Sequence, residues 1–267
     1  MCQVSIIMGA FNCEKTISEA IESILNQTFM DWKLIICDDY SKDNTKKILK
    51  EYEEKYSEKI LILENEKNYG LNYTLNKCLK YATGDYVARM DGDDISLPTR
   101  LEKEVNILKN NTHISIVSTN MFMFDENGIW GETHKKKYPQ KIDLIKSTPF
   151  CHAPCMVRRE AYEIVNGYSV SKKLLRVEDY HLWIKMYSKD LLGMNIQESL
   201  YMMRDDKNAR NRRKFKYRIN ESYVKLLAIK MLKLPKINIF LCLKPIILGI
   251  IPNFMYDILH HKKVGRK

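Results

Sequence analysis

Up to Met90, short, mostly apolar runs alternate with longer stretches whose apolar residues recur at three- and four-residue spacing. The runs are Val4–Met8, Trp32–Cys37, Ile60–Leu63 and Tyr86–Met90, each of a length that suits a buried strand. After the first run, which stops at Gly9-Ala10-Phe11-Asn12, Ile17, Ala20, Ile21, Ile24 and Leu25 stripe one face of a helix from about Glu14 to Gln27. Ile48, Leu49, Tyr52 and Tyr56 stripe a second helix after the turn Ser41–Thr45. Leu71, Leu75, Cys78, Leu79 and Ala82 mark a third, between the loop Asn68–Gly70 and the stop at Gly84. Strand and helix in strict alternation predict a parallel sheet with helices on its faces. In such sheets ligands sit outside the carboxyl ends of the strands.

Beyond Pro98 the pattern is looser. Pro98 suits a first helical turn, and Leu101, Val105 and Leu108 carry that helix to about Asn110. Ile114–Met123 reads as a strand, with Asp125–Gly128 as a hairpin turn and Ile129-Trp130 on the return. Lys135–Lys137 reads as a solvated loop, Cys155–Arg158 as a short strand, and the helix from Arg159 ends at Asn166-Gly167. Val177-Glu178-Asp179 opens a helix that buries Leu182, Trp183 and Met186, and Leu200–Arg204 is a last short strand. From Arg212 the chain changes in kind. Tyr223, Leu226, Leu227, Ile229 and Leu232 form an apolar stripe among lysines, and Ile237–Pro252 is mostly apolar but short for a membrane span. Two readings of this tail stand side by side: an interfacial element on an anionic membrane surface, or a helix packed on the preceding domain.

Size and charge narrow the class. The 267 residues suit one large domain, or one domain with an appendage. The net charge of +11 is unevenly spread: residues 1–100 hold 13 Lys/Arg against 17 Asp/Glu, and residues 212–267 hold 14 against 2. An anionic partner therefore belongs to the tail, and the acidic first half is unsuited to a nucleic-acid backbone. Seven scattered cysteines without a Cys-x-x-Cys pair read as free thiols in a reducing cytosol. The chain begins directly in a strand, with neither a basic n-region nor an adequate apolar h-region, so a secretion signal is not expected.

The candidate chemistry gathers at strand ends. The fourth run closes in Asp91-Gly-Asp93-Asp94, three carboxylates over four residues. Their repulsion calls for water or a cation. Hard oxygen ligands beside a strand end suit Mg2+ or Mn2+, shared with substrate phosphates; a solvated acidic turn is the alternative. Strand one ends in Phe11-Asn12 and strand two in Asp38-Asp39, so polar groups from three elements meet at one edge. Asp38 and Asp39 point opposite ways, one structural and one a ligand, unless both cap the next turn. Asp179 opens a helix, where the dipole favours an ionised carboxylate; a plain cap is its structural reading. His152 is a satisfied loop histidine or a ligand, and Arg204 meets a diphosphate or a surface carboxylate. Trp183 and Met186 read as core.

An ordered set of motifs over about residues 3–205 resembles the inverting glycosyltransferases of family 2. The set is Val4-Ser-Ile-Ile-Met-Gly-Ala-Phe-Asn12, Ser23-Ile-Leu-Asn-Gln-Thr-Phe29, Ile36-Cys-Asp38-Asp39-Tyr-Ser-Lys-Asp43-Asn-Thr45, Asn68-Tyr-Gly-Leu71, Ala82-Thr-Gly-Asp-Tyr86, Asp91-Gly-Asp93-Asp94, and Glu178-Asp179 with Leu182-Trp183. The resemblance implies a GT-A fold: an α/β, Rossmann-like, mostly parallel central sheet with flanking helices. It divides the chain into a catalytic domain over 1–210, with a nucleotide-binding half to about 110 and an acceptor half over 111–210. The basic helical extension over 211–267 follows.

By the same resemblance, Gly9, Ala10, Phe11 and Asn12 line the nucleotide pocket, Asp39 meets the uracil or ribose of a UDP-sugar, and Asp91 lies on the ribose and metal side. Asp93 ligates Mn2+ or Mg2+, with His152 a further candidate near the metal or diphosphate. Asp179 is the base, with Glu178 and Trp183 on the acceptor side. Gly9 stands where many members have proline and Phe11 where many have tyrosine. The absence of a Gln-x-x-Arg-Trp motif argues against a processive polymerase. The expected activity is metal-dependent, inverting transfer of a hexosyl group from a nucleotide sugar to a saccharide or lipid-linked acceptor in surface-glycan synthesis. The expected place is the cytoplasmic face of the membrane. A nucleotidyltransferase is the enzymatic rival, but the Gly-rich, basic triphosphate loop it needs is missing after strand one. The non-enzymatic rival is a basic membrane or nucleic-acid adaptor. The sequence leaves oligomeric state open.

Overall fold

Four parallel strands form the spine of the computed structural model, which describes residues 2–205 and 214–250. They are β1 (Val4–Ala10), β2 (Trp32–Asp38), β3 (Ile60–Glu64) and β4 (Tyr86–Asp91), in the order β3-β2-β1-β4. They are mostly apolar because both faces are covered. Val4, Ile6 and Met8 enter one core, with α1 (Ile17–Leu25), Leu49 of α2 (Thr45–Lys55) and Leu101 of α4 (Arg100–Asn110). Ile7, Ile35 and Val87 enter a second core, with α3 (Leu71–Leu79), α6 (Arg159–Ile164) and α7 (Glu178–Ser188). The register aligns the strand ends: Gly9 lies opposite both Cys37 and Asp91, and Ala10 opposite Asp38. The expected gathering of β1, β2 and β4 at one edge follows from that register.

Past β4 the sheet becomes mixed. Antiparallel β8 (Met156–Arg158) joins β4 to β6 (Ile114–Asp125), which carries β9 (Leu192–Arg204) in parallel and the hairpin partner β7 (Gly128–Glu132). The short β5 (Ile95–Ser96) closes the far edge on β9. The hairpin turn falls where expected, with Asp125 opposite Gly128.

Several expectations need correction. β9 begins at Leu192, eight residues before the short strand read from sequence. Its first half carries Asn195, Gln197, Glu198 and Ser199, which break the apolar pattern. Asn195 is nonetheless fully buried, its amide donating to the Lys136 and Pro149 carbonyls. The helix after Pro98 starts at Arg100, and the first helix at Ile17. β5, the single turn α5 (Asp143–Lys146) and the 3-10 turn Lys172–Leu174 were not expected, being too short to show periodicity.

The boundary expected at 210/211 lies outside the described residues, as do Arg212 and the end of the apolar run at Ile251-Pro252. Within them, α8 (Phe215–Met231) packs on α7, with Val224 and Ala228 buried in the second core. The 3-10 stretch Lys236–Cys242 and α9 (Lys244–Ile250) pack on α8 through Cys242 and Pro245. Their other face exposes Ile237, Ile239, Phe240, Leu243, Ile247 and Ile250.

Candidate active site

Two cavities adjoin at the carboxyl edge of the parallel strands. One, of about 690 Å³, is lined by Gly9, Phe11, Asp91, Asp93, Asp94 and Arg204. The other, of about 920 Å³, is lined by His134, Lys135, Phe150, His152, Glu178 and Asp179. Leu71, Arg89, Asp91, Arg176 and Met203 line both, so the two are halves of one cleft.

The smaller half is built from strand ends. Asp91, Asp93 and Asp94 each place a carboxylate oxygen within 4.8 Å of the others. The turn is tight because Gly92 has no side chain: a Cβ there would lie 3.2 Å from the Ile17 side chain and 3.3 Å from the Cys13 sulfur. Thr16 Oγ1, just before α1, donates to the Gly92 carbonyl at 2.9 Å. Arg204, on β9, clamps the same turn. Its backbone N–H donates to Asp94 at 2.8 Å, its Nε to the Asp93 carbonyl at 3.0 Å and its Nη2 to Glu19 at 2.5 Å. Both readings of Arg204 thus have substance, since it lines the cavity and is ion-paired to Glu19.

Burial, and then the charges of Asp91 and Asp93, push the Asp94 carboxyl well above its ordinary range. Three carboxylates this close cannot all ionise without a counter-charge. Two of them, Asp91 and Asp93, are half-buried on the cavity wall. The donor set is all hard oxygen, so it fits Mg2+ or Mn2+. His152 is not in that cluster. Its Nε2 bonds the Tyr168 hydroxyl at 2.8 Å, and its ring meets Trp183 edge-on at 5.9 Å. Burial, with the Arg89 charge, holds it well below the usual histidine range, hence neutral.

Asp38 and Asp39 divide as adjacent strand residues must, yet neither lines the cleft. Asp38 accepts from Ser41 through its hydroxyl and backbone N–H. Asp39, 5 % exposed, accepts from Asn65 Nδ2 at 2.8 Å and from the backbone N–H groups of Tyr69 and Gly70 at 2.9 and 2.8 Å. It thereby anchors the loop that starts α3, where Gly70 holds φ 87°. Asn12 (φ 49°) ties the β1 and β2 loops, accepting from Lys42 N–H at 2.8 Å and donating its own N–H to Ser41 Oγ at 3.0 Å. Ala10 is buried, and its carbonyl accepts from Asp39 N–H. Gly9 and Phe11 are the members of that loop that reach the cavity, Phe11 being 48 % exposed.

The larger half depends on tertiary contact. Asp179 is half-buried at the start of α7. Burial raises its carboxyl above the ordinary range, while the Tyr180 backbone, Arg89 and Lys135 pull the other way. Glu178 beside it is also raised by burial. Trp183 is fully buried against Phe150 and His152, lines neither cavity, and belongs to the core. Lys135 corrects the solvated-loop expectation: it is half-buried, donates to the Thr148 carbonyl at 3.0 Å and faces the cleft. Arg89 was overlooked. It interrupts the apolar run of β4, which was the available signal, and pairs with Asp91 two residues on, on the same face.

Comparison with known proteins agrees with this architecture. The family model described as glycosyl transferase family 2 matches residues 5–165. The glycosyltransferase EpsE of Bacillus subtilis is 42% identical over 262 residues, 98% of this chain and 94% of its own length. WfgD of Escherichia coli, a UDP-Glc:alpha-D-GlcNAc-diphosphoundecaprenol beta-1,3-glucosyltransferase, is 37% identical over 68% of this chain and 69% of its own. Among solved structures, Staphylococcus aureus TarS 1-349 in complex with UDP aligns at TM-score 0.69 and 18% identity, covering 99% of this chain and 75% of that one. The mannosyltransferase PcManGT of Pyrobaculum calidifontis, in complex with GDP-Man and Mn2+, aligns at 0.70 and 15% identity, covering 100% and 76%. With the fold agreeing, the chain is a GT-A glycosyltransferase and belongs to glycosyl transferase family 2.

Proposed function

We propose that the chain transfers a hexosyl group from a UDP-sugar to a hydroxyl of a saccharide or lipid-linked acceptor, with inversion, without processivity, and with help from a divalent cation. The observation that carries this reading is the spacing of carboxylates along one cleft: Asp93 in one half, Asp179 in the other and Asp91 where the two meet. Displacement at an anomeric carbon makes two demands. The departing diphosphate gathers negative charge, which a cation held by Asp93 and Asp91 would offset. The acceptor hydroxyl must lose its proton on the opposite face, a task that suits an ionised Asp179. A single displacement with one base inverts the centre. Gly9 and Phe11 would meet the nucleotide, with Ala10, Asn12 and Asp39 holding the loops around it. Glu178 would border the acceptor, and Arg204 would reach the diphosphate if it exchanged Glu19 for it. UDP is favoured because TarS binds UDP and WfgD uses UDP-Glc.

The acceptor half also supports a lipid-linked acceptor in surface-glycan synthesis. Lys135, Lys136, Lys146 and Lys244 line it, suiting a phosphate-bearing group, and Lys244 and Leu248 come from α9. The outer face of that segment is apolar, with Ile237 70 % and Phe240 66 % exposed. Among the described residues no helix is long and apolar enough to cross a membrane. Peripheral attachment to an anionic cytoplasmic face fits the basic, apolar tail better.

A donor panel with Mn2+ or Mg2+, read by nucleoside diphosphate release, tests the reaction. Asp93→Ala should abolish release with the fold intact; pyrophosphate as product would instead favour a nucleotidyltransferase. Sedimentation with phosphatidylglycerol vesicles tests the tail. Phe240→Glu with Ile247→Glu should cut binding several-fold, and unchanged binding would remove the membrane reading.

A further inference from the structure

Arg89 has no role in the reading so far, yet it occupies the middle of the cleft. It is 4 % exposed and lines both halves. Its strand position is fixed on both sides, because its N–H donates to the Cys155 carbonyl at 2.8 Å and its carbonyl accepts from Arg100 Nη1 at 2.9 Å. The side chain bonds the Asp91 carboxylate through Nη2. Among the described residues Asp91 is its only side-chain partner, and Nε is buried without one. A buried guanidinium normally spends its five N–H donors on carboxylates, carbonyls or a ligand. Here most of that fork is uncommitted and set at a cleft wall.

What lies at this point follows from the chemistry of the halves, and rests on the donor reading above. The diphosphate belongs beside Asp91, Asp93 and Arg204; the acceptor hydroxyl belongs beside Asp179. The group between them is the sugar in transit. Two other residues common to both halves suit it too, since Leu71 and Met203 offer apolar surface to the C–H face of a pyranose. We infer that Arg89, with the Asp91 carboxylate beside it, holds the hydroxyl groups of the transferred sugar where the two cavities meet. The guanidinium donates to hydroxyl oxygens, and the carboxylate accepts from a neighbouring hydroxyl. Such a paired fork reads the spacing of a vicinal diol, so Arg89 is both a binding and a specificity residue for the donor sugar.

A merely structural Arg89 would serve only to keep Asp91 in place, and the test separates the two roles. Calorimetric affinities for UDP and for a panel of UDP-sugars (UDP-glucose, UDP-galactose, UDP-N-acetylglucosamine) are measured with Mn2+ for the full chain, Arg89→Lys and Arg89→Gln. Turnover by UDP release is measured alongside, and thermal melts check the fold. The expected result has UDP affinity within threefold of wild type in both variants. The extra affinity of the preferred UDP-sugar over UDP should fall tenfold or more, turnover at least a hundredfold, and the preference among sugars should flatten, with Lys less affected than Gln. Equal weakening of UDP and UDP-sugar, or unchanged sugar preference in a folded variant, overturns the inference. Should Arg89→Gln fail to fold, Arg89→Lys alone decides on the same two criteria. If wild type binds no nucleotide sugar at all, the donor reading fails first and takes this inference with it.

Discussion

The two halves of the cleft hold their carboxylates by different means. In the donor half, Asp91, Asp93 and Asp94 crowd on one tight turn, while Asp38 and Asp39, behind the cleft wall, are tied down by a loop hydroxyl, an amide and backbone N–H groups. In the acceptor half, Asp179 and His152 stand apart in a partly apolar wall, and burial sets their protonation. One half centres on a local turn, Asp91–Asp94, at aligned strand ends, clamped by Arg204 of β9. The other is assembled from α7, the loop around Lys135 and the loop around His152. A donor half centred on one turn suits binding a polyanion that many proteins share. An acceptor half tuned by burial suits proton transfer and leaves its walls free to vary.

The sharpest break of this contrast is Asp179→Asn. Transfer should fall by about 10²–10⁴-fold, the usual worth of a general base, while UDP affinity stays within a few-fold. Comparable loss of UDP affinity would mean that the halves are not separable. Next is Trp183→Ala, expected to cost about 3–5 kcal/mol in denaturant unfolding, the penalty for a large buried aromatic. Trp183→Phe should leave the acceptor KM unchanged, and a large KM rise would return Trp183 to the acceptor surface.

A smaller effect separates the halves by pH. Asp179 works ionised, and its folded pKa lies above the ordinary 3.8, so turnover should drop as pH falls through that raised value. Removing the Lys135 charge, which opposes the rise, should move this limb to higher pH. Arg89 and Glu178 also face Asp179, and both remain in Lys135→Gln. No shift in the kcat profile of Lys135→Gln would deny the electrostatic link. Least is Gly70→Ala. Gly70 holds φ 87° and ψ 164°, a region that is nearly glycine-only, so the change should cost about 1–3 kcal/mol and loosen the loop that Asp39 anchors.

Much of the donor half was legible because its signals are short-range. Apolar runs alternating with helix-period stripes located all four parallel strands, and strand ends in register had to bring Gly9 level with Asp91 and Ala10 level with Asp38. The motif Asp91–Asp94 carries its own geometry, since a turn keeps neighbouring residues together. Arg89 was missed in that same region because a charge inside an apolar run looks like noise until its partner is seen. Asp39 shows a detail the motif does not carry: its oxygens hold the loop at Tyr69 and Gly70.

The sequence by itself determined the alternating parallel half, the acidic turn at its edge and the basic character of the tail, because periodicity and local charge survive in one dimension. Only the tertiary structure decided that β9 is long, that Lys135 and Arg89 line the same cavity as Asp179, and that α8 completes the second core. Those outcomes depend on which distant segments exclude water from one another, and desolvation is a property of the packed molecule, not of any stretch of chain.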